Sequence, residues 1–293
     1  MKRKNIFAII SIALCAVFCS VSCSNSNKPV DAAQDVEEAN GVVTIDDLLS
    51  LMANDLSGEK SLDGLVKDFE AQSAAIKSYW QQNHQNEDET NMVQTVLGEL
   101  KSLADSLSGG STADMVQSGD ITCAMYRYET AKEYCGKYSD NPLYQEEMRD
   151  WLQLEKGLND FYSNLAQVAY WQGSIVNVII SNTRGDVANL RQQDYSQLFK
   201  GGKVAECPMP IAEARTNLIQ EINDARNVEN PDAGEEFEKT LNALNESGDQ
   251  VVALLDKWLA SRNKLCESLG ISESHTAALI DSFSRKIMEI IEN

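Results

Sequence analysis

The sequence predicts an all-α protein, built as an antiparallel helical bundle or bundles of roughly eight to ten helices. Three observations carry that prediction. Apolar residues recur at three- and four-residue spacing through most of the chain, as in Met92, Val93, Val96, Leu97, Leu100, Leu103 and Leu107. Only five prolines occur, and the long stretches between them are rich in Leu, Ala, Glu, Gln and Lys, which favour helices. The interruptions carry helix start and stop residues rather than the alternation of strands.

The chain opens with Lys2, Arg3 and Lys4, then an apolar run from Ile6 to Phe18. A basic flank before a short apolar stretch is the plan of an export signal, and the run is shorter than the roughly 20 residues that span hydrocarbon. It ends in Ser20-Val21-Ser22-Cys23, which resembles the lipobox of bacterial lipoproteins. The resemblance implies a signal peptide over 1–22 and acylation of Cys23, with the membrane as first partner. It also implies residence in the bacterial envelope, at the outer membrane or cell surface. Several acyl chains, at about 0.8 kcal/mol per buried methylene, hold a protein firmly. Residues 23–43 are polar and acidic without apolar period, and read as a flexible tether.

Thr44 caps a short helix with Asp46 and Asp47 in its first turn, where carboxylates meet the positive end of the dipole. Leu62, Leu65, Phe69, Ile76 and Tyr79 or Trp80 share the stripe of the next helix, and the polar segment 83–90 is a loop. The helix of Met92–Leu107 ends at SGGST, and the stretch to Gly119 reads as the internal boundary. It separates a helical region over 44–110 from a domain over 120–293. Helical pattern resumes at Ile121 and runs through Cys135. Pro142 opens a helix carrying Leu143, Trp151, Leu154, Leu158, Phe161, Tyr162 and Leu165. The β-branched stretch 170–181 is read as a helix break at Gly173 and a second helix, because no partner strand is evident. A loop around Cys207-Pro208 leads to a helix from Pro210 to Arg226, then one over 235–246, a break at Ser247-Gly248-Asp249, and one over 250–268. Gly270 stops that helix, and Ser272 caps a last one whose Leu279, Ile280, Phe283, Ile287, Ile290 and Ile291 form a wide apolar face.

The formal charge is −20; removing residues 1–22 takes three basic groups and no acidic ones, for a mature charge of about −23. Such a surface repels nucleic acid and attracts basic partners. After Cys23 four cysteines remain, Cys123, Cys135, Cys207 and Cys266, an even number that suggests two disulfides in an exported protein. On one continuous helix Cys123 and Cys135 would lie about 18 Å apart, beyond the roughly 7 Å bridging limit. Each would then pair with Cys207 or Cys266, or all four stay as thiols.

Chemistry-bearing motifs are scarce. The two histidines, His84 in a polar loop and His275 near the last helix cap, read as surface residues without metal-ligand neighbours. Neither a Gly-rich phosphate loop nor a nucleophile turn is present, so no catalytic residue, metal or cofactor is assigned and an enzyme is not expected. Two aromatic groups stand out: Tyr126, Tyr128, Tyr134, Tyr138 and Tyr144, and then Trp151, Phe161, Tyr162, Tyr170 and Trp171. At helical spacing they read as core before they read as a glycan-stacking surface.

Trp258, Arg262 and Cys266 form W-x-x-x-R-x-x-x-C, and Leu158, Asn159 and Tyr162 form L-N-x-x-Y. Both resemble motifs of the lysozyme-inhibitor-like (LprI-type) lipoproteins, over residues 120–270 at most. The interval between the two motifs exceeds the family's usual spacing, and Leu241-Asn242 is a second upstream match without the tyrosine. Trp258 and Arg262 lie four apart on one helix face, where ring and guanidinium can pack together. The resemblance implies a helical lipoprotein that binds a basic protein such as lysozyme. A structural or assembly lipoprotein of an envelope complex and a glycan-binding module are the alternative expectations.

Overall fold

A computed structural model describes residues 44–53, 61–85, 87–200, 209–227, 234–272 and 274–292. The expected signal segment, Cys23, the tether and Cys207 lie outside the described residues. Nine α-helices and one 3-10 turn make up the regular structure among the described residues. They are α1 (Ile45–Ala53), α2 (Leu62–Asn83), α3 (Met92–Leu107), α4 (Thr112–Lys137), α5 (Pro142–Ala169), α6 (Val176–Lys200), α7 (Ile211–Ala225), α8 (Glu235–Leu269) and α9 (Ser274–Glu292), with the turn at Glu89–Asn91. The fold is all-α, as the sequence predicts.

Local chemistry explains most boundaries. Thr44 and Asp47 cap α1 reciprocally, each side chain bonding the other's backbone N–H. Ser61 caps α2 through the Gly64 N–H at 3.0 Å, and Asn141 caps α5 with Pro142 in its first turn. Gly270 takes φ +67°, the left-handed stop that ends α8. Ser272 Oγ receives the Ser274 N–H at 3.3 Å and so starts α9.

Two expectations about breaks are corrected. α4 begins at Thr112, not near Ile121, because Ser111 and Asp114 close a capping box. Gly119 therefore sits inside a helix, where it packs on Ser181 of α6. Residues 44–292 accordingly fall within one compact unit rather than two domains. α8 is continuous through Ser247-Gly248-Asp249. The space beside Gly248 is filled by the Arg226 guanidinium, which also bonds Asn245 O at 2.9 Å and Asp249 at 2.7 Å. Ser247 Oγ bonds Leu244 O and receives Asn164 Nδ2. Tertiary partners thus hold straight a segment whose local propensity favours a break.

α5 lies antiparallel against α8, with Gly157 facing Leu254 and Asn164 bonding Ala243 O. α4 and α6 run alongside each other, in register from Gly119–Ser181 to Tyr138–Tyr195. α9 packs on α7, α5 and α6. The larger core gathers Trp151, Phe161, Tyr162, Trp258 and Phe283. A second core joins α1, α2 and α3 to α4 through Leu48, Ile76, Trp80, Leu100 and Tyr128.

Candidate functional site

The densest polar constellation lies inside the larger core. Glu147 of α5, Arg191 and Asp194 of α6, and Arg262 of α8 form a closed ring of alternating charge. Arg191 Nη1 and Nη2 donate to Glu147 Oε1 and Oε2 at 2.9 and 2.6 Å, and Nη1 also reaches Asp194 Oδ2 at 3.1 Å. Arg262 Nη1 donates to Glu147 Oε1 at 3.2 Å and its Nη2 to Asp194 Oδ1. The indole N–H of Trp258 adds a further bond to Glu147 Oε1 at 2.9 Å. Glu147 and Arg262 are wholly buried and Arg191 nearly so.

Aromatic rings wall the ring of charges. The Arg191 guanidinium lies 4.6 Å from both the Trp151 and Tyr195 ring centres, and Arg262 lies 5.5 Å from Trp258. The i, i+4 pairing expected for Trp258 and Arg262 is therefore realised. Burial pushes the Glu147 carboxyl up, but the flanking Arg191 and Arg262 charges outweigh it and hold the group below the usual carboxylate range. Two carboxylates and two guanidiniums cancel, so the ring is ionised yet neutral. Its role follows from that geometry: it ties α5, α6 and α8 together, with Arg191 Nε and Arg262 Nε left without a partner among the described residues.

The remaining motif residues line the same interior. Tyr162 donates to Phe283 O at 3.0 Å, tying α5 to α9, while Leu158 and Asn159 are buried beside it. Cys266 is buried near Arg262, and burial raises its thiol. No disulfide joins Cys123, Cys135 and Cys266 to one another, so of the alternatives left open the pairings with Cys266 are not the ones adopted. Cys123 and Cys135 share α4, and Cys266 projects into the ring's surroundings. Burial, with Glu70 nearby, pushes the Cys135 thiol up to about 11.

A cleft of about 20 Å³ lies beside Arg191, between Trp151, Met148, Leu65 and the Arg127–Glu155 ion pair. That is room for one water-sized molecule. The aromatic groups are turned inward: Tyr128, Tyr134, Tyr144, Trp151, Phe161 and Tyr162 are buried, and Tyr126, Tyr138, Tyr170 and Trp171 are partly covered. Six of the ten rings therefore serve the core, as their helical spacing predicts.

Both histidines depart from the surface positions expected of them. His84 stacks on Trp80 at 4.3 Å and 12°, with Glu87 at 3.1 Å and Glu99 at 2.9 Å from its two ring nitrogens. Tyr79 donates to the same Glu99 at 2.7 Å, so the group clamps the α2–α3 connection. His275 is buried beside Asp194 and Arg262.

Glu147, Arg191, Asp194 and His275 belong to no sequence motif, although spacing marks two of them. Glu147 falls between Leu143 and Trp151 on the apolar stripe of α5, and His275 precedes Leu279 and Phe283 on that of α9. A charged or titratable residue in the middle of a core stripe signals a buried partner.

Comparison with protein-family models, curated proteins and solved structures yields no match to this chain.

Proposed function

We propose that this chain is an exported, lipid-anchored, non-enzymatic binding protein of the bacterial envelope, attached through Cys23 and engaging a basic protein with its acidic surface. The distribution of charge is the observation that carries the reading. Asp46, Glu70, Asp105 and Glu246 are exposed, as are Glu235, Glu236 and Glu238 in the first turn of α8. Many of the basic side chains are already engaged by carboxylates, among them Lys156–Asp160, Lys257–Asp150, Lys264–Glu146, Arg215–Asp256 and Lys286–Asp186. The surplus presented outward is negative, and complementary charge speeds encounter and selects partners.

Among the described residues no helix is long and apolar enough to cross a membrane, and attachment in this reading rests on the lipid at Cys23. The W-x-x-x-R-x-x-x-C resemblance makes lysozyme the first basic probe. Immobilised full chain should capture lysozyme at low ionic strength and release it as salt rises, since charges more than about 10 Å apart are screened at 0.1 M. No capture even at low salt sinks the reading. Stable co-purification with envelope proteins at high salt would favour an assembly role instead. Attachment has its own test: incorporation of a palmitate analogue in a bacterial host should vanish in Cys23→Ala.

A further inference from the structure

α9 begins at an unusual place for a titratable group. His275, in its first turn, is only 4 % exposed, and its Nε2 has no hydrogen-bond partner among the described residues. The neighbouring Thr276 is fully buried beside the Cys266 thiol. The link from α8 is short and passes through Gly270, whose left-handed backbone supplies a turning point.

The charged groups facing the imidazole come from two elements: Asp194 of α6 and Arg262 of α8. The Cys266 thiol of α8 faces the same Asp194 and Arg262, with Glu147 of α5 also acting on it. The face that α7 buries is apolar, formed by Ala214, Leu218, Ile222 and Ala225. Asp194 is already bonded by both Arg191 and Arg262, so its charge is balanced within the ring. A proton on His275 would add a third cation against two carboxylates, out of water and at the positive end of a helix dipole.

We propose that His275 is a proton-operated latch: the neutral imidazole seats the first turn of α9 against the buried ring, and protonation releases that turn about Gly270. Burial, chiefly, holds the imidazole below its ordinary value, with Asp194 opposing and Arg262 reinforcing the shift. The sign follows. A base whose folded value is depressed contributes stability that is complete above the unfolded value of about 6.5 and is lost as pH falls through the folded value. Acid therefore opens the latch, and neutral pH closes it.

Hydrogen–deuterium exchange on the full chain, corrected for intrinsic rates, tests this between about pH 7.5 and about pH 5. Amides in the first turns of α9 should exchange about tenfold faster or more at the lower pH, while the centres of α5 and α8 keep their protection. His84→Gln should behave like the parent, and His275→Gln should lose the acid response. Acid opening that persists in His275→Gln overturns the proposal, as does loss of protection throughout the bundle at once. Should His275→Gln fail to fold, His275→Asn serves as the second variant. The parent's imidazole resonances, only two in number, decide independently of either. Titration of His275 without coincident opening of α9 also overturns the proposal.

Discussion

Arg191 meets Glu147 side by side in the interior, both nitrogens of the guanidinium fork donating to the two carboxylate oxygens at 2.9 and 2.6 Å. Removing one member of such a set leaves the others charged and unpaired. Glu147→Gln keeps the shape but leaves Arg191 and Arg262 facing a neutral amide. It should cost about 3–5 kcal/mol, read as a lower urea midpoint with an unchanged slope. Arg262→Lys should also destabilise although it keeps the charge, because an ammonium cannot reach Glu147 and Asp194 with a planar fork.

The approach of α4 to α6 depends on Gly119. A methyl there would lie 2.5 Å from Ser181 Oγ and 2.8 Å from the Ser181 backbone carbon. That hydroxyl is committed to Val116 O and Asp120, both at 2.7 Å, so it cannot simply swing away. Gly119→Ala should destabilise by about 1–3 kcal/mol in thermal or urea unfolding. Gly98, inside α3, has nothing within 4 Å of the same position. Gly98→Ala should therefore stabilise by about 0.5–1 kcal/mol, and equal effects at the two sites would contradict the close crossing.

Gln172, in the turn between α5 and α6, holds φ +59°. A side chain in this left-handed region costs about 1–2 kcal/mol, a penalty that glycine lacks. Gln172→Gly should raise the melting temperature, and a drop would mean that the Gln172 side chain contributes more than its backbone strain removes.

Tyr79 is pushed up to about 12, first by burial and then by its bond to Glu99. It is an acid whose neutral form is favoured in the fold. Its contribution to stability is full below the ordinary phenol value of about 10 and disappears as pH rises through the folded value. Ultraviolet titration should find this phenolate appearing late, and Glu99→Gln should bring it forward. An unchanged titration in that variant would discount the Glu99 contact.

Most helix ends could be read from sequence because their causes are local. Thr44, Pro142, Gly270 and Ser272 act within a turn of themselves, and the Trp258–Arg262 contact follows from i, i+4 geometry. One miss is local, since the Ser111–Asp114 capping box starts α4 within a single turn; the others have distant causes. Gly248 stays helical because Arg226, more than twenty positions earlier, packs over it. Glu147 and Arg262 are separated by 115 positions, and no pattern of spacing pairs them. The polar ring is visible only once three helices are assembled. The acidic exterior, by contrast, could be read from composition alone, since charge summed over the chain needs no fold.

The charge-balanced ring also divides this protein into two electrostatic compartments. Because Glu147, Asp194, Arg191 and Arg262 sum to zero inside, they add nothing to the far field, and the net −20 is carried by groups elsewhere, outward-facing ones above all. Seen by an approaching partner, the molecule behaves as a charged shell around a neutral, ionised kernel. Salt screens the exposed charges far more than it screens the buried ring, whose members are packed out of water.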